Sequence, residues 1–165
     1  CMPAYIDRKN IDLFTRHAIL TETEMRARYE IHLENYCKVS AIEANTLLEM
    51  AMRGVLPAAG KYADQLAQTL FHKKNCGISL PTVMEERTLT RVSELSATLF
   101  RVCEDLQTAL ENAPSVDSGI DAARYYRSEI VTRTQKAGEL IGQLESLVDA
   151  KAWPYPTYAD ILFSV

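Results

Sequence analysis

The sequence is short of turn-forming residues, short of cysteine, and without a long apolar run. Glycine and proline occur only six times each among 165 residues, too few for the frequent reversals of an all-β sandwich or barrel, so the composition leans helical. The four cysteines, Cys1, Cys37, Cys76 and Cys103, form no CxxC pair and no Cys/His spacing of a zinc site. They read as free thiols in a reducing compartment. No stretch approaches the roughly 20 apolar residues that span a bilayer, and the N-terminus lacks the basic start and apolar core of a signal peptide. A cytoplasmic chain with no membrane partner is therefore expected.

Positive charge is not in excess either. The net charge is -4 and the pI about 5.4, with lysines and arginines interspersed among acids, which argues against nucleic acid as a partner. No glycine-rich run offers the freed backbone amides of a phosphate loop. A di-iron bundle needs Glu-x-x-His pairs, and neither His32 nor His72 has a glutamate three residues before it. His17 is the remaining histidine, and Glu30 and Glu34 beside His32 read as a solvated face. No metal site, cofactor site or catalytic residue is expected in this chain. A Cys-His nucleophile would need partners that only the fold could bring together, whereas a cysteine on a helix is more often a small buried hydrophobe. The chain opens on Cys1 rather than methionine, which fits a piece of something larger, Met2 being the other candidate start.

What is present is helical periodicity. An amphipathic stretch with Ile11, Leu13 and Phe14 forms a short N-terminal helix within residues 1–20. Thr21-Glu22-Thr23-Glu24 reads as a capping box. From there an apolar stripe steps by three or four through Met25, Tyr29, Leu33, Tyr36, Ser40, Ala44, Leu47, Ala51, Val55, Ala58, Tyr62, Leu66 and Leu70. Gly54 and Pro57 interrupt it without shifting its register, so residues 21–77 are expected to form one over-long helix, about 80 Å, kinked near Pro57 and ending at Gly77.

A second capping box, Thr82 to Glu85, opens a helix over 82–113 with Val92, Leu95, Leu99, Val102, Leu106 and Ala109 on one seam. A third helix, over 117–152, carries Ala123, Tyr126, Ile130, Thr134, Ala137, Ile141, Leu144 and Val148. Gly138 and Gly142 on it are spaced for close helix packing. Short connections make consecutive helices antiparallel neighbours. The expected fold is all-α: one domain, residues 1–165, built as an elongated antiparallel bundle of three long helices. The tail, 153–165, is aromatic and twice broken by proline, and must bury Trp153, Tyr158, Leu162 and Phe163 on its own bundle or on a neighbouring subunit.

The densest polar region runs from Arg26 to Lys38. Arg26 with Glu30, and Glu34 with Lys38, stand one helical turn apart, which suits ion pairs that support a solvated helix. The same region could orient the helix against another domain or subunit.

Here the residues become recognisable. Arg28-Tyr29-Glu30-Ile31-His32-Leu33-Glu34-Asn35-Tyr36-Cys37-Lys38, followed by Ile42-Glu43-Ala44 and Leu56-Pro57-Ala58 with Tyr62, resembles the region after the catalytic domain of type III glutamine synthetases. Asn10-Ile11 to Phe14 and the ending Trp153-Pro154-x-Pro156-x-Tyr158 with Leu162-Phe163 are similar to the same region. The middle, Lys73 to Val131, carries no matching motif, and its helix register rests on periodicity alone.

The resemblance implies a parent ligase of nitrogen metabolism that joins ammonia to glutamate, using ATP and a divalent metal (Mg or Mn) bound upstream of this segment. The over-long helix and the aromatic tail then suggest a C-terminal structural and assembly domain, packed on the catalytic domain of the same chain or between subunits of a homo-oligomer. The contacts expected to serve it are Arg28, Tyr29, Glu30, Glu34, Tyr36, Lys38, Trp153, Tyr158 and Phe163. The rival readings are an independent helical adaptor and, more remotely, a metal-dependent bundle enzyme.

Overall fold

A computed structural model describes residues 2–156 and 158–163, with every side chain among them except those of Asp117, Tyr158, Ala159 and Phe163. The protein is all-helical, with no strand among the described residues. Where one short N-terminal helix was expected there are two, α1 (Met2–Tyr5) and α2 (Arg8–Arg16). The extended backbone of Asp7 separates them, and Asn10 Nδ2 ties them by donating to the Ala4 carbonyl at 2.5 Å. Only Ile11 of these helices is buried; Leu13 points outward.

The capping box at Thr21 forms in full. Its hydroxyl accepts from the Glu24 amide at 3.2 Å, and the Thr21 amide donates to the Glu24 carboxylate at 2.8 Å. From this cap the chain stays helical through α3 (Glu22–Met50), a π-helical turn (Ala51–Val55) and α4 (Leu56–Asn75). The π turn is how the helix meets Pro57. Proline brings no N–H and crowds the carbonyl four residues before it, so the turn just ahead widens, and the Leu56 amide bonds to the Ala51 carbonyl. The stripe faces inward as read from the sequence, with Tyr29, Leu47, Tyr62 and Leu70 half-buried, except at one step: Cys37 is buried and Tyr36 is exposed. Spacings of three and four both fit a helix, and the smaller Cys37 side chain fills the close-packed position.

The second helix, α5 (Val83–Glu111), buries Val92, Leu95, Leu99, Val102, Leu106 and Ala109 along one seam. Its expected capping box does not form. Glu85, which should have reached back to Thr82, is instead buried, and it takes Lys73 Nζ of α4 at 2.5 Å; the Thr82 hydroxyl donates to Glu86 at 3.1 Å. Lys73 also donates to the Pro81 carbonyl at 3.3 Å, and Lys74 pairs with Glu86 at 3.0 Å, so two lysines of α4 staple the tip of the α4–α5 hairpin. The Lys73 ammonium holds the Glu85 carboxyl below its usual titration range.

The third helix is shorter than 117–152. A 3-10 turn (Val116–Ser118) leads into α6 (Ile120–Tyr125), a second π-helical segment (Tyr126–Val131) and α7 (Thr132–Glu145), after which the chain turns. Two clusters fill the interior. One joins Ala51, Val55 and Ala59 to Val92, Leu95 and Leu99 and to Ala137, Leu144 and Val148. The other joins Leu33, Cys37 and Ala44 to Leu106 and Ala109 and to Ala122, Tyr126 and Ile130. Residue numbers rise along the first and third helices as they fall along α5, so neighbours run antiparallel. α1 and α2 pack on α3.

After α7 the tail folds back on the bundle. Trp153 is buried in the first cluster, beside the π turn. Tyr155 lies across Gly54, with its hydroxyl donating to the Met50 carbonyl at 3.3 Å. A Cβ at Gly54 would come within 2.4 Å of that hydroxyl oxygen, which gives this mid-helix glycine its reason.

Two predictions follow from these contacts. Gly54→Ala should displace Tyr155 and break its bond to Met50, whereas in a Tyr155→Ala background the same change should stabilise by about 0.5–1 kcal/mol, the helix penalty of glycine. A urea double-mutant cycle measures the coupling, and strictly additive effects would contradict the contact. The Lys73–Glu85 pair should act through pH. Glu85 titrates below its ordinary range, so the pair contributes fully above that range and fades as pH falls through the depressed value. Lys73→Met should lower the melting temperature at pH 7, and its deficit should shrink below about pH 4. A deficit independent of pH would show that the pair does not carry it.

Candidate docking surfaces

The polar segment singled out on the long helix is a solvent-facing ridge. Arg28, Glu30, Tyr36 and Lys38 are exposed, while Tyr29 and Glu34 are half-buried. Lys38 pairs with Glu34. Arg26 does not pair with Glu30; it reaches back to Glu22 at 2.8 Å, which is one turn nearer the positive helix N-terminus, where an acid is better placed. Exposed i,i+4 pairs of this kind contribute a few tenths of a kcal/mol. They solvate the ridge and leave its apolar side chains, Ile31 and Tyr36, open.

Beside this ridge lies a cavity of about 560 Å³ between α1, α3 and α6. Buried Leu33 and Ala123 form its floor, and Met2, Tyr5, His32 and Tyr36 its walls. Pro3, Ile120, Arg124 and Arg127 complete the lining, which contains no acid. Sequence periodicity could not show it, because α1 meets α3 and α6 only in the folded chain.

A second groove, of about 450 Å³, runs along the π turn between Ile42 and Met50 of α3 and Gly138, Ile141 and Gly142 of α7, with Tyr155 at its edge. The expectation that the two glycines allow close helix packing fails within this chain: a Cβ at either would meet nothing within 4 Å. They lie on an open face. At the opposite end of α4, Phe71, Ile78, Leu80, Val83 and Met84 are all exposed around the hairpin tip that the Lys73–Glu85 pair joins.

The tail divides. Trp153 belongs to the chain's own core and is not free for a partner. The short helix α8 (Tyr158–Phe163) leaves Ile161 and Leu162 exposed, at 64% and 72%. The side chains of Tyr158 and Phe163, both expected contacts, lie outside the described residues.

The polar groups do not converge on chemistry. Among the described residues no group of three or more His, Cys, Asp and Glu could hold a metal ion. Burial pushes the Cys37 and Cys103 thiols up, away from the thiolate that a nucleophile needs. Burial likewise raises Tyr126, which packs near Cys37. Glu129 is held below its usual range by its hydrogen bond to Arg133, an ordinary one-turn pair. No described helix is long and apolar enough to cross a membrane.

Comparison with known proteins locates the chain. Its residues 1–74 match the family model described as the glutamine synthetase C-terminal domain. Over its whole length it is 32% identical to a glutamine synthetase of Butyrivibrio fibrisolvens, and over 94% of its length 28% identical to the type-3 glutamine synthetase of Dictyostelium discoideum. A glutamine synthetase of Bacteroides fragilis is 23% identical over 97% of the chain. The chain spans about a quarter of the length of these relatives, 24%, 22% and 22%. No solved structure matches it significantly. With the family's C-terminal domain model on residues 1–74 and relatives aligned nearly end to end, the chain is similar to the C-terminal helical region of the glutamine synthetase family, with a type-3 enzyme among its matches.

Proposed function

We propose that this chain is a structural and assembly domain of a cytoplasmic glutamine synthetase, without catalytic residues of its own. It packs on the catalytic domain of the same chain and takes part in a homo-oligomer. The observation that carries this reading is a contrast. The chain aligns nearly end to end with much longer enzymes, yet its described residues gather no donor set and no activated nucleophile while exposing several apolar surfaces. Apolar patches rimmed by polar residues mark contact surfaces.

The full-length protein would ligate ammonia to glutamate. The ATP and the divalent metal, Mg or Mn, that this reaction requires would be bound by the remainder of the full-length chain. The exposed ridge of Arg28, Tyr29, Glu30, Glu34, Tyr36 and Lys38 and the α8 tail are the surfaces that would meet the other parts.

The isolated 165-residue chain should form no glutamine from glutamate, ammonia and ATP, and deleting it from the full-length protein should change the oligomeric state seen by light scattering. Glutamine formation by the isolated chain would overturn the reading. Unchanged assembly and activity after deletion would favour an independent adaptor.

A further inference from the structure

We infer that the cavity between α1, α3 and α6 is the seat of the polypeptide that precedes residue 1 in the full-length enzyme, which inserts an apolar side chain between Tyr5 and Tyr36 and presents a carboxylate to Arg127. The inference rests on the proposed function above and specifies where the contact is made.

Four observations point to this occupant. The matched family model describes a C-terminal domain, and the relatives are about four times as long as the chain, so the bulk of the enzyme precedes this segment. That polypeptide arrives at the cavity's own wall, because Met2 and Tyr5 line it. A tethered segment leaving from the wall of a site is held there at millimolar effective concentration, and five extended residues reach about 17 Å.

Helix α1 has only the four residues Met2–Tyr5 and none of them is buried. Met2 packs only partly on the second cluster and Asn10 holds the Ala4 carbonyl, so this single turn keeps an open face that a further layer of chain can cover. A segment lying across Met2, Tyr5 and Tyr36 supplies that layer.

Charge selects the chemistry. In a chain of net charge -4 this cavity is lined by His32, Arg124 and Arg127 and by no acid. Arg124 already pairs with Asp121 at 3.2 Å, while the Arg127 guanidinium has no partner among the described residues. An apolar cleft with one unpaired guanidinium at its edge is complementary to an apolar side chain next to an Asp or Glu, with the arginine able to bind the carboxylate in a bidentate fork.

Hydrogen exchange of the full-length protein tests this directly. The amides of Met2–Tyr5 and of the residues just before them should exchange at least about tenfold more slowly than free peptide, because an unsupported single turn would show almost no protection. Arg127→Glu should remove that protection and Arg127→Lys should keep most of it, while the amides of α5 stay equally slow in both, which shows that the bundle is intact. Free-peptide rates at Met2–Tyr5 in the unmodified protein would overturn the inference, as would protection that Arg127→Glu leaves unchanged. Protection lost on dilution would assign the cavity to a second copy and overturn it too. Normal glutamine formation and assembly alongside an unprotected α1 would sink this inference alone and leave the proposed function standing.

Discussion

Everything in this structure depends on keeping one helix continuous across a proline. From Glu22 to Asn75 the chain forms about 80 Å of unbroken helix, and its buried stripe must be covered along that whole distance. No single neighbour is long enough. Therefore α4 packs on α5, the π turn on α5 and α7, the middle of α3 on α5 and α6, and the first turns are left to α1 and α2. A break at Pro57 would part Ala59 from Ala51 and Val55 within the first cluster. The π turn absorbs the proline instead, and its widened backbone becomes the place where the tail attaches, through Tyr155 over Gly54 and Trp153 in the core beside it.

Sequence periodicity reads well wherever burial follows from spacing alone. Every stripe position named on α5 is buried, as are Ala123, Tyr126, Ile130, Ala137, Leu144 and Val148 of the third helix. Reading fails where two local solutions compete and tertiary structure chooses. Thr21 and Thr82 carry the same cap signature, but only at Thr21 is the glutamate three residues on free to turn back; Glu85 is claimed by Lys73 across the hairpin. Arg26 had acids on both sides and took Glu22. Cys37 displaced Tyr36 because volume, which spacing does not encode, decided the position. The cavity by α1 lay out of reach for the same reason, since it is assembled from three elements distant in sequence.

Electrostatics explains why the surfaces described here rest on apolar contact. Apart from Lys73–Glu85, whose acid is buried, the described ion pairs join exposed or half-exposed side chains, mostly one turn apart on a single helix. Such pairs contribute little and fix no partner's register. The buried pair is different in kind. Glu85 Oε2 is buried without a hydrogen-bond partner, so the acid is only half satisfied, and the hairpin tip keeps its shape through Lys73. Breaking one side of a buried pair costs more than the pair itself contributes. Around it Phe71, Ile78, Leu80, Val83 and Met84 are exposed, so the tip pairs a buried ion pair with an open apolar surface.

Distance then separates the two ends of the molecule. Tyr36, on the wall of the α1 cavity, and Phe71, on the hairpin tip, stand 35 positions apart on one helix, which is about 50 Å along its axis. A polypeptide tethered at residue 1 has its highest effective concentration at the cavity, and that concentration falls steeply with the span it must cross. One short contact cannot serve both surfaces. The cavity lies beside residue 1, whereas the apolar tip stands at the far end of the helix, out of reach of a short segment tethered there. The uninterrupted helix is what sets the distance between these two unlike surfaces, and its continuity across Pro57 is what keeps that distance fixed by helical geometry.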